Sequence, residues 1–185
     1  MAASWNRIAH RIRVPLGFAF AVVFLWLARP SALALAFSLL LVIPGLLLRG
    51  FASGYVKKNA ELTTTGPYAY TRNPLYLGSM LIAAGFALAS RSIWIAALLA
   101  VCFAAIYLPV IRSEEAYLRS AFAGFDAYAA RVPRLLPRIA LRSRESSPPG
   151  KFSPALYRKH REYNASIGAA SMYAALILKL VVLQK

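Results

Sequence analysis

The chain has 185 residues, the size of a single domain, but 59% of them are hydrophobic, and 22 Lys and Arg outnumber 6 Asp and Glu for a formal charge of +16. Soluble domains run nearer half apolar, so a compact soluble enzyme fits poorly. The lone cysteine, Cys102, excludes an internal disulfide, and His10 and His160 lack any metal-ligand spacing.

Arg7, Arg11 and Arg13 precede an uncharged run, Val14–Ala28, and Ala32-Leu33-Ala34 beyond it mimics a cleavage site for a secretory signal. Arg29-Pro30 interrupts, however, and a second uncharged run, Ser31–Leu48, follows at once. The pattern predicts a helical hairpin, helix one over Val14–Ala28 and helix two over Ser31–Phe51, with Pro30 near the turn and at an allowed helix start. A polar loop, Ala52–Asn73, leads to a second hairpin, with helix three over Pro74–Ala89 and helix four over Ser92–Ile111. Both connections are short, so hairpin partners must be antiparallel neighbours. Cys102 lies inside helix four and reads as a small buried apolar residue.

No breaker interrupts Arg112–Leu118, so helix four is expected to continue to about Arg131, where Val132-Pro133 stops it. Arg138–Ser153 is rich in Ser, Pro, Gly and charge and reads as a linker. Ser153-Pro154 then has the form of an N-cap and first-turn proline. The final helix, 154–185, starts basic and turns apolar at Ile167; it is expected to span the membrane. Its Gly168, Ala169, Ala170 and Ser171 suit close helix packing.

A spanning helix needs roughly 20 apolar residues. The runs therefore predict an all-α, polytopic membrane protein of about five transmembrane helices, its core in 1–137, its linker in 138–153 and its C-terminal helix in 154–185. A basic chain often binds nucleic acid, but these cations alternate with the apolar runs. The N-terminus, the segment holding Arg49, Lys57, Lys58 and Arg72, and the segment from Arg112 to Arg161 are cation-rich; the hairpin turns hold only Arg29 and Arg91. That is the positive-inside pattern. It puts the N-terminus and both polar segments in the cytoplasm and gives a bilayer, not a nucleic acid, as the partner. The Ala- and Arg-rich composition is compatible with a bacterial inner membrane.

Two stretches carry chemistry. Gly66–Gly78 reads GPYAYTRNPLYLG. Its Gly66-Pro67 and Asn73-Pro74 turns hold Tyr68, Tyr70, Arg72 and Tyr76 on a stiff backbone at one membrane edge. An interfacial aromatic belt also uses tyrosines and a snorkelling arginine, but a belt does not need the prolines and glycines. The second stretch is Glu114-Glu115, at the cytoplasmic end of helix four in a chain poor in acids. Together they offer carboxylates, a guanidinium, tyrosine rings and an apolar wall. Such a pocket suits a small zwitterionic cofactor and an amphiphilic substrate.

These residues also resemble a known family. GPYAYTRNPLYLG is similar to the GPYxxxRHPxYxG motif of the isoprenylcysteine carboxyl methyltransferases and related phospholipid methyltransferases. EEAYL and the aromatic stretch leading to RVPRLLP are similar to that family's EExxL…FGxxYxxY…VPR segment, and KKNAELTTTGPY resembles its lead-in. The resemblance covers about Gly50–Pro137. It implies an integral-membrane enzyme that uses S-adenosylmethionine, contacted by Glu61, Leu62, Thr63, Tyr68, Asn73, Pro74, Leu75, Tyr76 and Glu114. Arg72 and Glu115 join that set from the chemistry of the pocket. Arg112 stands near a substrate-facing arginine of the family, at different spacing, and with Glu114 it is the catalytic candidate.

Asn73 stands where many members have His, so that side chain cannot titrate near neutral pH. Phe122-Ala123 replaces FG, and the spacing to Tyr128 is one residue short. These departures bear on the acceptor more than on the cofactor. The family implies an amphiphilic acceptor, with an isoprenylcysteine-type carboxylate slightly ahead of a phospholipid amine. Two other classes stay open. A nicotinamide-dependent membrane reductase would need a pocket long enough for two linked nucleotides. A non-enzymatic lipid-binding protein would show an obstructed pocket or a Glu114 facing lipid.

Overall fold

The computed structural model describes residues 20–57, 61–137 and 150–183, and every regular element among them is helical. Residues 14–19 of helix one, the N-terminal arginines, His10, Lys58 and linker positions 138–149 lie outside the described residues. Helix α1 is described over 20–27. It is followed by α2 (Ala32–Ser53), a 3₁₀ turn (Gly66–Ala69) and α3 (Pro74–Ser90). Next come α4 (Ile93–Ala121), α5 (Phe125–Arg131), α6 (Pro154–Lys159) and α7 (Tyr163–Leu183).

Local sequence explains most boundaries. Ser31 caps α2 by accepting the Ala34 amide at 3.3 Å, and Pro30 lies just before the helix. Pro74 opens α3, and α3 ends at Arg91 in the left-handed region (φ 52°). Ser153 caps α6 through the Leu156 amide, with Pro154 in its first turn. Three helices, α2, α4 and α7, are long and apolar enough to cross a membrane, and α3 is a shorter apolar helix. Their outward faces carry large apolar side chains, among them Leu47, Trp94 and Leu178 at 67%, 74% and 66% exposure, as membrane-crossing helices do.

Helix α4 is continuous, with a π turn over Phe103–Tyr107. From Ile93 to Ile111 it rises about 28 Å at 1.5 Å per residue, close to the roughly 30 Å of bilayer hydrocarbon. Arg112 to Ala121 therefore project beyond that thickness, and the acidic pair lies there. The expected continuation to Arg131 does not hold. Helix α4 ends at Ala121, Phe122 is extended (φ −133°), and α5 starts at Phe125. Gly124 is a poor helix former, and the break turns Phe125 and Tyr128 inward to 1% and 5% exposure.

The last helix is also broken. Residues His160–Glu162 form a turn with Arg161 left-handed (φ 53°), so the basic start and the apolar span are separate helices. Of the four small residues in α7, only Ala169 is buried, and a Cβ on Gly168 would meet nothing within 4 Å. The packing stripe is instead Ala169, Met172, Tyr173 and Leu176, at helical spacing. Cys102 is half-buried rather than buried.

The core gathers Phe24, Leu35, Ala89, Ile95 and Leu176 from five helices, with Ala28 just past the end of α1. Helices α2 and α3 approach backbone to backbone. A Cβ on Gly45 would lie 2.8 Å from the Gly78 carbonyl, and one on Gly85 would lie 3.0 Å from the Ser38 carbonyl. Helix α7 joins them through a 2.6 Å hydrogen bond between the Ser38 and Tyr173 hydroxyls. Lys179 donates to the Leu25 and Trp26 carbonyls, orphan acceptors at the end of α1.

Candidate functional site

The motif loop is held by a strap that follows α5. Gly66 adopts φ 61°, and a Cβ there would press into the Tyr55 ring at 2.7 Å, so only glycine makes this turn without strain. The 3₁₀ turn that follows buries Tyr68, whose carbonyl accepts the Tyr128 hydroxyl at 2.7 Å. Further on, the Arg72 amide donates to the Pro133 carbonyl at 2.9 Å. The Arg134 carbonyl accepts from the Thr71 hydroxyl at 3.2 Å and from Asn73 Nδ2 at 3.0 Å. The VPR segment thus supplies the backbone acceptors that fix the loop.

Glu115 lies beneath this junction at 4% exposure. Its Oε2 accepts Arg134 Nε and Nη2 at 3.0 and 2.7 Å, and its Oε1 accepts Asn73 Nδ2 at 3.3 Å and faces Arg72 Nε at 3.5 Å. A buried carboxylate needs such partners on both oxygens. Glu115 therefore binds α4 to the loop and the strap. Glu114 points elsewhere: it is exposed, and its Oε1 accepts the Tyr76 hydroxyl at 2.9 Å. Tyr76 also meets the Tyr107 ring edge-on at 5.5 Å, and Tyr107 stacks on Phe103 across the π turn. Such turns are frequent at functional sites.

One cleft is lined by Glu61, Leu62, Thr63, Tyr68, Arg72, Asn73, Pro74, Leu75, Tyr76, Glu114 and Glu115. The eleven residues expected to contact a cofactor therefore border one space. Arg112 is exposed and is not among its lining residues. Val56, Lys57, Tyr117, Leu118, Phe125 and Tyr128 complete the wall. Phe125 and Tyr128 belong to the aromatic stretch already noted; their inward direction depends on the break before α5, which the sequence pattern does not announce.

Burial raises the phenols of Tyr68 and Tyr128 above their ordinary value, and at Tyr68 the neighbouring Tyr128, Glu114 and Glu162 add to the shift. Both therefore stay neutral near physiological pH. The Glu115 carboxylate raises Arg134 in turn. Two buried polar atoms in the cleft wall, Thr63 Oγ1 and Arg72 Nε, have no hydrogen-bond partner among the described residues. Arg72 also lies 6.0 Å from the Phe125 ring centroid, its cation directed toward the aromatic wall.

Comparisons with known proteins bear on this arrangement. The chain is 44% identical over 91 residues to the nickel-cobalt-cadmium resistance protein NccN of Alcaligenes xylosoxydans xylosoxydans, a match covering 49% of this chain and 43% of that protein. It is 42% identical over 91 residues to the cobalt-zinc-cadmium resistance protein CzcN of Cupriavidus metallidurans, covering 49% and 42%. The chain thus spans less than half the length of these curated relatives. No solved structure matches. A model of the phospholipid methyltransferase family matches residues 13–124, which include α2, α3, α4 and the motif loop. The chain belongs to the phospholipid methyltransferase family.

Proposed function

We propose that this protein is an integral-membrane methyltransferase that transfers a methyl group from S-adenosylmethionine to a lipid-like amphiphile. The observation that carries the reading is the single cleft bordered by residues 61–63, 68, 72–76 and 114–115. Its residues fit the cofactor chemically. The buried Thr63 Oγ1, without a hydrogen-bond partner among the described residues, calls for one, and Leu62, Pro74 and Leu75 provide apolar surface. S-adenosylmethionine, when bound, supplies a methyl group on a sulfonium, and an in-line displacement of that kind depends mainly on positioning. The rings of Tyr68 and Tyr76 favour a cation beside them. Arg72 offers a guanidinium to a carboxylate.

The charges of the cleft support an amine acceptor over the prenylcysteine-type carboxylate. Of the lining cations, Arg72 faces Glu115 and Lys57 pairs with Glu61 at 3.0 Å; outside the lining, Arg134 is taken by Glu115 and Arg49 by Glu162. Glu114 is the lining carboxylate without a basic partner among the described residues. A cleft whose uncommitted charge is negative suits a protonated amine headgroup, and Glu114 can take the proton that the nitrogen must lose before it attacks. Arg72 has Glu115 on one side and the cofactor's own carboxylate to meet, so a carboxylate acceptor would need a further cation, and Arg112 lies outside the lining. The motif loop and the acidic pair share one polar end, which supports a cytoplasmic cleft in a bacterial inner membrane, with the acceptor entering from lipid.

The test is titration calorimetry of detergent-purified protein with S-adenosylmethionine. Methyl transfer is then followed to an ethanolamine phospholipid and, in parallel, to a prenylcysteine. Saturable binding with transfer to the amine lipid bears the proposal out. Transfer only to the prenylcysteine overturns the acceptor, and failure of a folded protein to bind, also in native lipid, overturns the methyltransferase. Nicotinamide cofactors would then be titrated.

A further inference from the structure

We propose that Glu162, acting through Arg49, is a positioning residue that fixes the first turn of α3 and with it the Leu75–Tyr76 wall of the cleft. The inference rests on the methyltransferase reading for its consequence, but its geometry stands apart from it. Arg49 lies near the end of α2 and crosses onto α3 over Gly78; a Cβ on that glycine would come within 2.6 Å of Arg49 Cγ. From there Arg49 Nη1 donates to the Leu75 carbonyl at 3.3 Å and to Ser79 Oγ at 2.5 Å. Ser79 Oγ donates in turn to the same carbonyl at 3.0 Å.

The other side of the guanidinium belongs to Glu162. Nε and Nη2 donate to both carboxylate oxygens at 2.8 to 3.1 Å, and the side chains are only 24% and 12% exposed. Glu162 sits in the turn between α6 and α7, outside residues 13–124 that match the family. That turn is anchored separately, by His160 Nδ1 at 3.0 Å from the Ser53 carbonyl, and the start of α6 is held by the Ser153 amide on the Gly54 carbonyl at 2.9 Å. The C-terminal helices thus bring a carboxylate to the back of the cleft wall. Without it, a half-buried guanidinium loses its bidentate partner and turns toward solvent. The Leu75 carbonyl then loses its donor on α2, and Leu75 and Tyr76 lose their fixed height in the cleft.

A plain rivet between helices is the competing role, and a charge swap separates the two. In Arg49→Glu/Glu162→Arg the ion pair is restored, but a carboxylate at 49 cannot donate to the Leu75 carbonyl. The experiment uses the full chain in detergent. Thermal unfolding, amide hydrogen exchange of the 73–79 segment and calorimetric S-adenosylmethionine affinity are measured for wild type, Glu162→Gln, Glu162→Asp and the swap. Glu162→Gln should weaken cofactor binding roughly ten-fold, as expected for losing charge-assisted hydrogen bonds, and should speed exchange in 73–79. Glu162→Asp, which keeps the charge, should fall between it and wild type. The swap should recover the unfolding temperature but neither the affinity nor the protection. Wild-type affinity and protection in Glu162→Gln, or full recovery of both in the swap, overturns the proposal. A wild type that does not bind the cofactor instead overturns the methyltransferase reading, and the exchange measurement still decides the positioning.

Discussion

The Tyr76 hydroxyl reaches Glu114 Oε1 at 2.9 Å and joins the first turn of α3 to the projecting end of α4. The two side chains come from opposite members of a hairpin, and both border the cleft. Tyr76→Phe keeps the ring and its contact with Tyr107 but frees the carboxylate. A hydrogen bond to a charged group contributes about 1.5 kcal/mol, so calorimetry should show cofactor or acceptor affinity falling roughly ten-fold. Glu114→Gln keeps the shape and removes the charge. Initial rates of methyl transfer to an ethanolamine phospholipid should fall at least roughly a hundred-fold, the lower range for a lost general base. A Glu114→Gln enzyme with undiminished turnover would remove Glu114 from the proton path.

Glu115 should matter for folding before it matters for binding. At 4% exposure it receives hydrogen bonds from Arg134 and Asn73 and faces Arg72, so Glu115→Ala strands a guanidinium and an amide at the junction of α4, loop and strap. Removing one partner of a buried pair costs about 3 kcal/mol. Thermal unfolding in detergent should show Glu115→Ala well below wild type. Arg134→Ala should also lose stability, since it leaves the Glu115 carboxylate short of its strongest partner. Arg119→Ala, which removes an exposed pair with Asp126, should change little.

The contrast between these pairs shows what the sequence could and could not disclose. Ser31, Pro74 and Ser153 mark helix starts because capping and fixed φ are local properties, and those boundaries are legible. The apolar runs likewise disclose the helical class. The break at Phe122–Gly124 is only weakly marked, because Gly124 disfavours a helix without forbidding one and the outcome depends on burying Phe125 and Tyr128 against the loop. The turn at His160–Glu162 is similar; it follows from what His160 and Glu162 meet on α2. For the cleft, residue types and motif order single out the lining. They do not distinguish Glu114, which stays open, from Glu115, which is consumed by the clasp, nor do they reveal Arg134 as its partner.

The glycines separate in the same way. A Cβ on Gly78 would meet Arg49 Cγ at 2.6 Å and the Gly45 carbonyl at 2.8 Å, so Gly78→Ala must part α2 from α3. A cost of about 2 kcal/mol is expected, within the range for overpacking. Gly168 has open space around it in α7, so Gly168→Ala should raise stability by up to about 1 kcal/mol through helix propensity alone. Unfolding curves recorded side by side test both signs. A Gly78→Ala protein as stable as wild type would show that the α2–α3 contact yields more readily than its geometry implies.

Orientation decides whether the cleft can meet a cytoplasmic cofactor. The turns at Arg29 and Arg91 should face away from the cytoplasm, while the polar ends that carry Glu114 and the motif loop should face it. In a Cys102→Ser background, single cysteines at Arg29 and Ser120 report the two sides, and both positions are exposed. A membrane-impermeant maleimide applied to intact spheroplasts should label Arg29→Cys at once. It should label Ser120→Cys only after permeabilisation. The reverse pattern would turn the cleft away from the cytoplasm and remove its access to S-adenosylmethionine. Labelling of both positions from outside would place Ser120 and Arg29 on one side, so α2, α3 and α4 together could not connect them as an odd number of spans.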